Sequence, residues 1–291
     1  MALALTAAKK AVILLKNVAK TLPLDKAALA GKTVCMFGPN ANSTMAQMAG
    51  YVPHPSYIVS PYAGMVDALP GATVKLVEGC NTTRCQGYDK AAVAAALPSC
   101  DVSVLVMGLT AYANPGNHIF KPSGPGSQEQ NNACGCIPGD GVEGECCDRE
   151  DVALPGDQLL LLQQVTAAAA AAKQPCVLVS VNAGMLDLSW AQSSTSVGAV
   201  INAPYLGMTA GTALASTLLG ENNPGGRLPT TWYKSLADIG PITDYEMYPS
   251  AATGLKGRTH RYYDGPVLYP FGAGRYVSSS LPGSCPCFIS S

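Results

Sequence analysis

Charge is scarce in this chain. Only 13% of its 291 residues are Asp, Glu, Lys or Arg, and they sum to a formal net charge of -1. With no basic field to hold phosphates, nucleic acid is not an expected partner. Long apolar runs are missing too: none approaches the roughly 20 residues that a membrane helix needs, so no membrane partner is expected. Neither a G-x-G-x-x-G fingerprint nor a Walker lysine loop follows any strand-like run, which argues against a nucleotide-binding, flavodoxin-like domain. No cofactor is expected.

What the chain has is apolar bulk and cysteine. At 48% hydrophobic it can bury a full core, in one or two domains by length. Its eleven cysteines and the sequons at Asn42 and Asn81 point to an oxidising compartment, extracellular or cell wall. Cys80 and Cys85 enclose a short polar loop and read as a local disulfide, whereas Cys35 and Cys176 sit in apolar strand runs and read as small buried hydrophobes. From Met1 to Lys20, Leu3, Leu5, Ala8, Val12, Leu15 and Val18 recur at helical spacing between lysines. That pattern reads as an amphipathic helix rather than a signal peptide, so the chain is expected to begin inside a longer protein or to have lost its start.

Strand-like and helix-like segments then alternate. Strands are expected at Thr33–Phe37, Thr73–Val77, Asp101–Met107, Cys176–Val181 and Val197–Ile201. Helices are expected from Pro61 to about Leu69, with Ser60 as N-cap, and at Asp89–Leu97, Pro155–Lys173 and Gly207–Leu219. Repeated β-then-α units imply a layered α/β sandwich with a mostly parallel sheet and helices on both faces. One such domain is expected over residues 1–276, with residues 277–291 as an unstructured tail.

The chemistry is sought at the carboxyl ends of the strands, where open α/β sheets bind ligands. A long aperiodic segment, from about Thr110 to Leu154, leaves one of those ends. Within it Glu143, Glu145, Asp148 and Arg149 gather in seven positions of a charge-poor chain. A carboxyl in a partly apolar loop has a raised pKa and can act as a general acid. The plainer reading of composition alone is a solvated acidic loop.

The order Glu145, Cys146-Cys147, Asp148-Arg149, Leu154-Pro155-Gly156, Gln158 resembles the acid/base loop in the second domain of family 3 glycoside hydrolases. Other stretches resemble the same domain, in order: Ala11 to Asn17 with Leu22-Pro23-Leu24, Phe37 to Asn42, and Gly79-Cys80 with Cys85. They continue through Leu218-Leu219-Gly220, Asn223 to Pro229, Thr231-Trp232-Tyr233, Gly257 to Tyr263 and Leu268 to Gly272. The similarity is to the β-xylosidase type and implies a retaining glycosidase acting on oligosaccharides or glycosides. Such an enzyme holds two carboxyls about 5–5.5 Å apart across the sugar.

The resemblance further implies an aspartate nucleophile on a barrel domain, upstream or supplied separately, of roughly 250 residues. Neither that barrel nor the family's fibronectin-like domain is expected within these 291 residues. Glu145 is the implied acid/base, Glu143 the alternative, and Asp148 with Arg149 a pair that fixes the loop. Arg258, His260 and Tyr262 would share one side of a strand, facing a pocket or packing at the domain edge. A carbohydrate-binding or interaction module that kept the fold without the chemistry is the competing reading. Cys134, Cys136, Cys146 and Cys147 lack the spacing of a structural zinc site, so disulfides or free thiols are expected there and no metal.

Overall fold

The computed structural model describes residues 1–49, 55–111, 143, 149, 151–241 and 243–277. Its centre is a six-stranded sheet of β1 (Ile13–Asn17), β2 (Thr33–Phe37), β3 (Thr73–Val77), β4 (Val102–Gly108), β5 (Cys176–Val181) and β6 (Ala199–Asn202). The spatial order is β1-β6-β5-β4-β2-β3; β1 runs antiparallel to β6 and every other pair is parallel. Strand residues alternate between two cores, as the two-residue period of a strand requires. Val34, Met36, Val104, Val106, Val177 and Val179 point to one face, and Cys35, Phe37, Leu105, Met107 and Leu178 to the other.

Helices cover both faces. On the first lie α1 (Ala2–Ala11), α2 (Pro61–Ala68) and α6 (Ala210–Leu218), which contribute Ala8, Met65, Leu214 and Leu218. On the second lie α3 (Lys90–Ala96), α4 (Gln158–Ala171) and α5 (Ser189–Ser193), with Val93, Leu161, Leu162, Val165 and Ala191. Ser60 caps α2 as expected, its side chain accepting from the Ala63 N–H. Where α2 crosses α6 the backbones nearly touch: a Cβ on Gly64 would stand 2.2 Å from the Gly211 carbonyl carbon, and one on Gly211 2.0 Å from the Ser60 carbonyl oxygen. Only glycine permits that approach.

The opening departs from expectation. Its helix stops at Ala11, and Ile13, Leu14 and Leu15 form a strand buried on both faces. A strand of that kind has no polar alternation, so its apolar run fell into helical register by spacing alone. Cys35 is buried but is no lone hydrophobe: it forms a disulfide with Cys100, just before the neighbouring strand β4. Cys176 is buried and free. The Cys80–Cys85 disulfide is present.

Beyond α6 the chain is turn-rich, with two small two-stranded sheets. One pairs β7 (Trp232–Tyr233) with β10 (Val267–Tyr269), the other β8 (Pro249–Ser250) with β9 (Leu255–Lys256). Trp232 and Tyr269, edge to face at 5.6 Å, close the second core. The stretch expected as a strand with Arg258, His260 and Tyr262 on one side is instead the short helix α7 (Thr259–Tyr262), with Arg258 as its extended N-cap. Residues two apart diverge on a helix, so the three do not share a face. No described helix is long and apolar enough to cross a membrane.

Candidate active site

The strands on either side of the β2–β4 boundary connect in opposite directions, which makes that boundary a topological switch point of the kind where ligands bind. Two structures brace the exit of β4. Gln158, fully buried at the start of α4, accepts from the Gly108 N–H at 2.8 Å and donates to the Gly108 carbonyl at 2.9 Å and the Thr83 carbonyl at 2.6 Å. Gly156 lies so close to the disulfide loop that a Cβ there would meet the Arg84 carbonyl oxygen at 2.1 Å. The Leu154-Pro155-Gly156 turn and the Cys80–Cys85 loop are thus fitted to one another, with the Asp157 N–H donating to the Cys85 carbonyl at 2.9 Å.

Beside them, buried amides order the ends of β5 and β6. Asn202 donates to Asn182 Oδ1 at 3.0 Å and to Ser180 Oγ at 3.2 Å, and Asn182 donates to the Gly184 carbonyl at 2.7 Å. This holds the turn at Ala183–Gly184 with its N–H groups outward. Glu143 meets them: Oε1 accepts from Ala183 N–H at 2.5 Å, and Oε2 from Gly184 N–H at 2.9 Å. The Tyr205 hydroxyl, from the loop after β6, donates to Oε1 at 2.6 Å. Tyr205 is half-buried. Burial first, and then the neighbouring Glu143, push that phenol well above its ordinary range.

Arg149 grips the same turn. Its guanidinium donates to the Met185 carbonyl at 2.9 Å and to the Ala153 carbonyl at 3.2 Å. Burial draws its pKa down, against the opposing fields of Glu143 and Asp151. Residues 143 and 149 therefore hold consecutive positions, 183 to 185, on one turn.

The chain matches the family described as "Glycosyl hydrolase family 3 C-terminal domain" over residues 12–276. It belongs to glycoside hydrolase family 3, as the C-terminal domain of that family. Among its relatives, a β-xylosidase/α-L-arabinofuranosidase of Medicago sativa subsp. varia is 34% identical over 275 residues, covering 94% of this chain and 30% of the relative. A probable β-D-xylosidase of Arabidopsis thaliana is 35% identical over 281 residues, covering 96% and 31%. The family 3 chain thus spans about a third of the length of these relatives. A solved family 3 exo-β-xylosidase, in complex with a xylobiose aziridine activity-based probe, superposes with a TM-score of 0.74 at 27% identity over 94% of this chain and 30% of its own.

The remaining sequence candidates divide plainly. Glu145, Asp148 and the cysteines Cys134, Cys136, Cys146 and Cys147 lie outside the described residues. Arg258 donates to the Pro241 carbonyl at 2.7 Å, His260 stacks on Phe271 at 4.2 Å, and Tyr262 packs on Tyr248 at 4.5 Å. These contacts join parts of the turn-rich region and do not reach Glu143 or Arg149. Asn42 and Asn81 are exposed. Among the described residues no group of three or more His, Cys, Asp or Glu could hold a metal ion. Sequence reasoning missed Tyr205, Ala183 and Gly184. The available signal was positional, since all three follow the carboxyl ends of buried strands.

Proposed function

We propose that this chain supplies the acid/base half of a retaining, β-xylosidase-type active site, with Glu145 as proton donor and then base. The observation that carries the proposal is the two-point hold on the loop. Glu143 and Arg149 flank Glu145 in sequence, and both are fixed to the turn 183–185 at the carboxyl edge of the sheet. Glu143, whose two oxygens already accept three hydrogen bonds, serves in this reading as an anchor. Of the two candidate glutamates, that leaves Glu145 for proton transfer.

The nucleophile comes from the family's barrel domain, and the substrates are short xylo-oligosaccharides or related glycosides. A single carboxylate cannot form the glycosyl-enzyme intermediate, so the 291-residue chain by itself folds without hydrolysing aryl β-xylosides. Two disulfides and exposed sequon asparagines favour an extracellular or cell-wall location.

The test joins the chain to a family 3 barrel. Glu145→Gln should slow xylobiose by about 10²–10⁴-fold yet spare dinitrophenyl xyloside, whose leaving group departs with little protonic help. Azide should then restore turnover of the activated substrate. The same phenotype from Glu143→Gln, with Glu145→Gln silent, would reverse the two roles. Hydrolysis by the unjoined chain, abolished by Glu145→Gln, would refute the need for a barrel. Bound xylo-oligosaccharide without any turnover in the joined protein would favour a binding module.

A further inference from the structure

We infer that Tyr205 is a positioning residue for the glycosidase reaction: with the Ala183 and Gly184 amides it forms a socket that seats Glu143, and so sets the place of the acid/base two positions on. The inference rests on the acid/base reading of Glu145 given above.

Three donors from two separate loops converge on one carboxylate. Oε1 takes the Ala183 amide and the Tyr205 hydroxyl, and Oε2 takes the Gly184 amide. A Cβ at residue 184 would stand 2.7 Å from Oε2, so a side chain there would make the carboxylate shift from this seat. The socket is braced from beneath by Asn182 and Asn202, both buried. Tyr205 itself has φ +43°, a left-handed conformation that bulky side chains seldom adopt. Backbone strain of that sort is stored where the surrounding structure requires one geometry. Here it coincides with the residue whose hydroxyl reaches Glu143.

A general acid must lie within hydrogen-bond reach of the departing oxygen, and a misplacement of 1 Å can cost on the order of 10²-fold. Arg149 holds the far end of the loop through carbonyls. Tyr205 is the side-chain donor at the near end, and it comes from a segment 62 residues away in sequence.

The test uses the chain joined to a family 3 barrel. Tyr205→Phe removes one hydroxyl and keeps the ring. It should lower kcat for xylobiose about 10-fold with KM little changed, while dinitrophenyl xyloside keeps its glycosylation rate. Glu143→Asp, which leaves Tyr205 in place but shortens the reach by one methylene, should give the same split. It stands in if Tyr205→Phe melts early. Glu145→Gln is run alongside. If it lacks leaving-group dependence, the acid/base reading itself fails. If it shows that dependence while both socket variants slow the two substrates equally, or neither, Tyr205 has no positioning role.

Discussion

The side-chain amide of Gln158 pairs with Gly108 in both directions, accepting from its N–H and donating to its carbonyl, at the point where β4 ends. A side-chain amide offers a donor and an acceptor side by side and carries no charge. A third bond, to the Thr83 carbonyl, ties the same residue to the disulfide loop. Gln158→Leu keeps the volume and strands these backbone groups in a buried place. It should destabilise the chain by about 3 kcal/mol, read as a lower urea midpoint with an unchanged m-value. A loss below the usual scatter of surface substitutions would mean that water replaces the amide.

The two disulfides should differ in weight. Cys35–Cys100 closes a loop of sequence separation 65, and Cys80–Cys85 one of 5. Loop-closure entropy then assigns about 4 kcal/mol to the first and about 2 kcal/mol to the second. Paired alanine substitutions, followed by denaturant unfolding, should reproduce that order. Non-reducing peptide mapping should find both pairs linked in protein made by a secretory route. Four freely alkylated thiols would count against both bonds and against secretion.

Stability should fall in alkali. Burial pushes the Cys176 thiol up to about 12, so the folded chain keeps a proton that the unfolded chain gives up near the ordinary value of 9.0. Between those limits the unfolded state binds fewer protons, and stability is lost as pH rises through the window. The raised Tyr205 phenol acts in the same direction. Urea titrations on either side of the ordinary thiol range should show the drop, and Cys176→Ala should flatten it in part. Iodoacetamide should label Cys176 only once the chain is unfolded; ready labelling of the folded chain would show that the site opens.

Much of the frame was legible because its signals are local. Thr33–Phe37, Thr73–Val77 and Cys176–Val181 are apolar runs bounded by turn residues, and the strands occupy the spans that the runs delimit. Ser60-Pro61 starts α2 because a hydroxyl cap and a fixed φ act within one turn of helix. The opening departs from its expected helix only beyond Ala11, for a related reason. A strand buried on both faces lacks the alternation that separates it from a helix, and only pairing with β6 decides the matter.

The sequence by itself determined the alternation of strands and helices, the family, and the cluster of charged residues in which the chemistry is sought. Those follow from side-chain periodicity, backbone preference and motif order, all of which act over a few residues. Tertiary structure alone decided that Cys35 meets Cys100, that β1 runs antiparallel to β6, and that the carboxylate of Glu143 is received by Ala183, Gly184 and Tyr205. Those partners stand 40 to 62 residues further along the chain. Their meeting depends on the order in which parallel strands stack, because crossover connections bring the carboxyl ends of β5 and β6 side by side whatever the intervening loops contain.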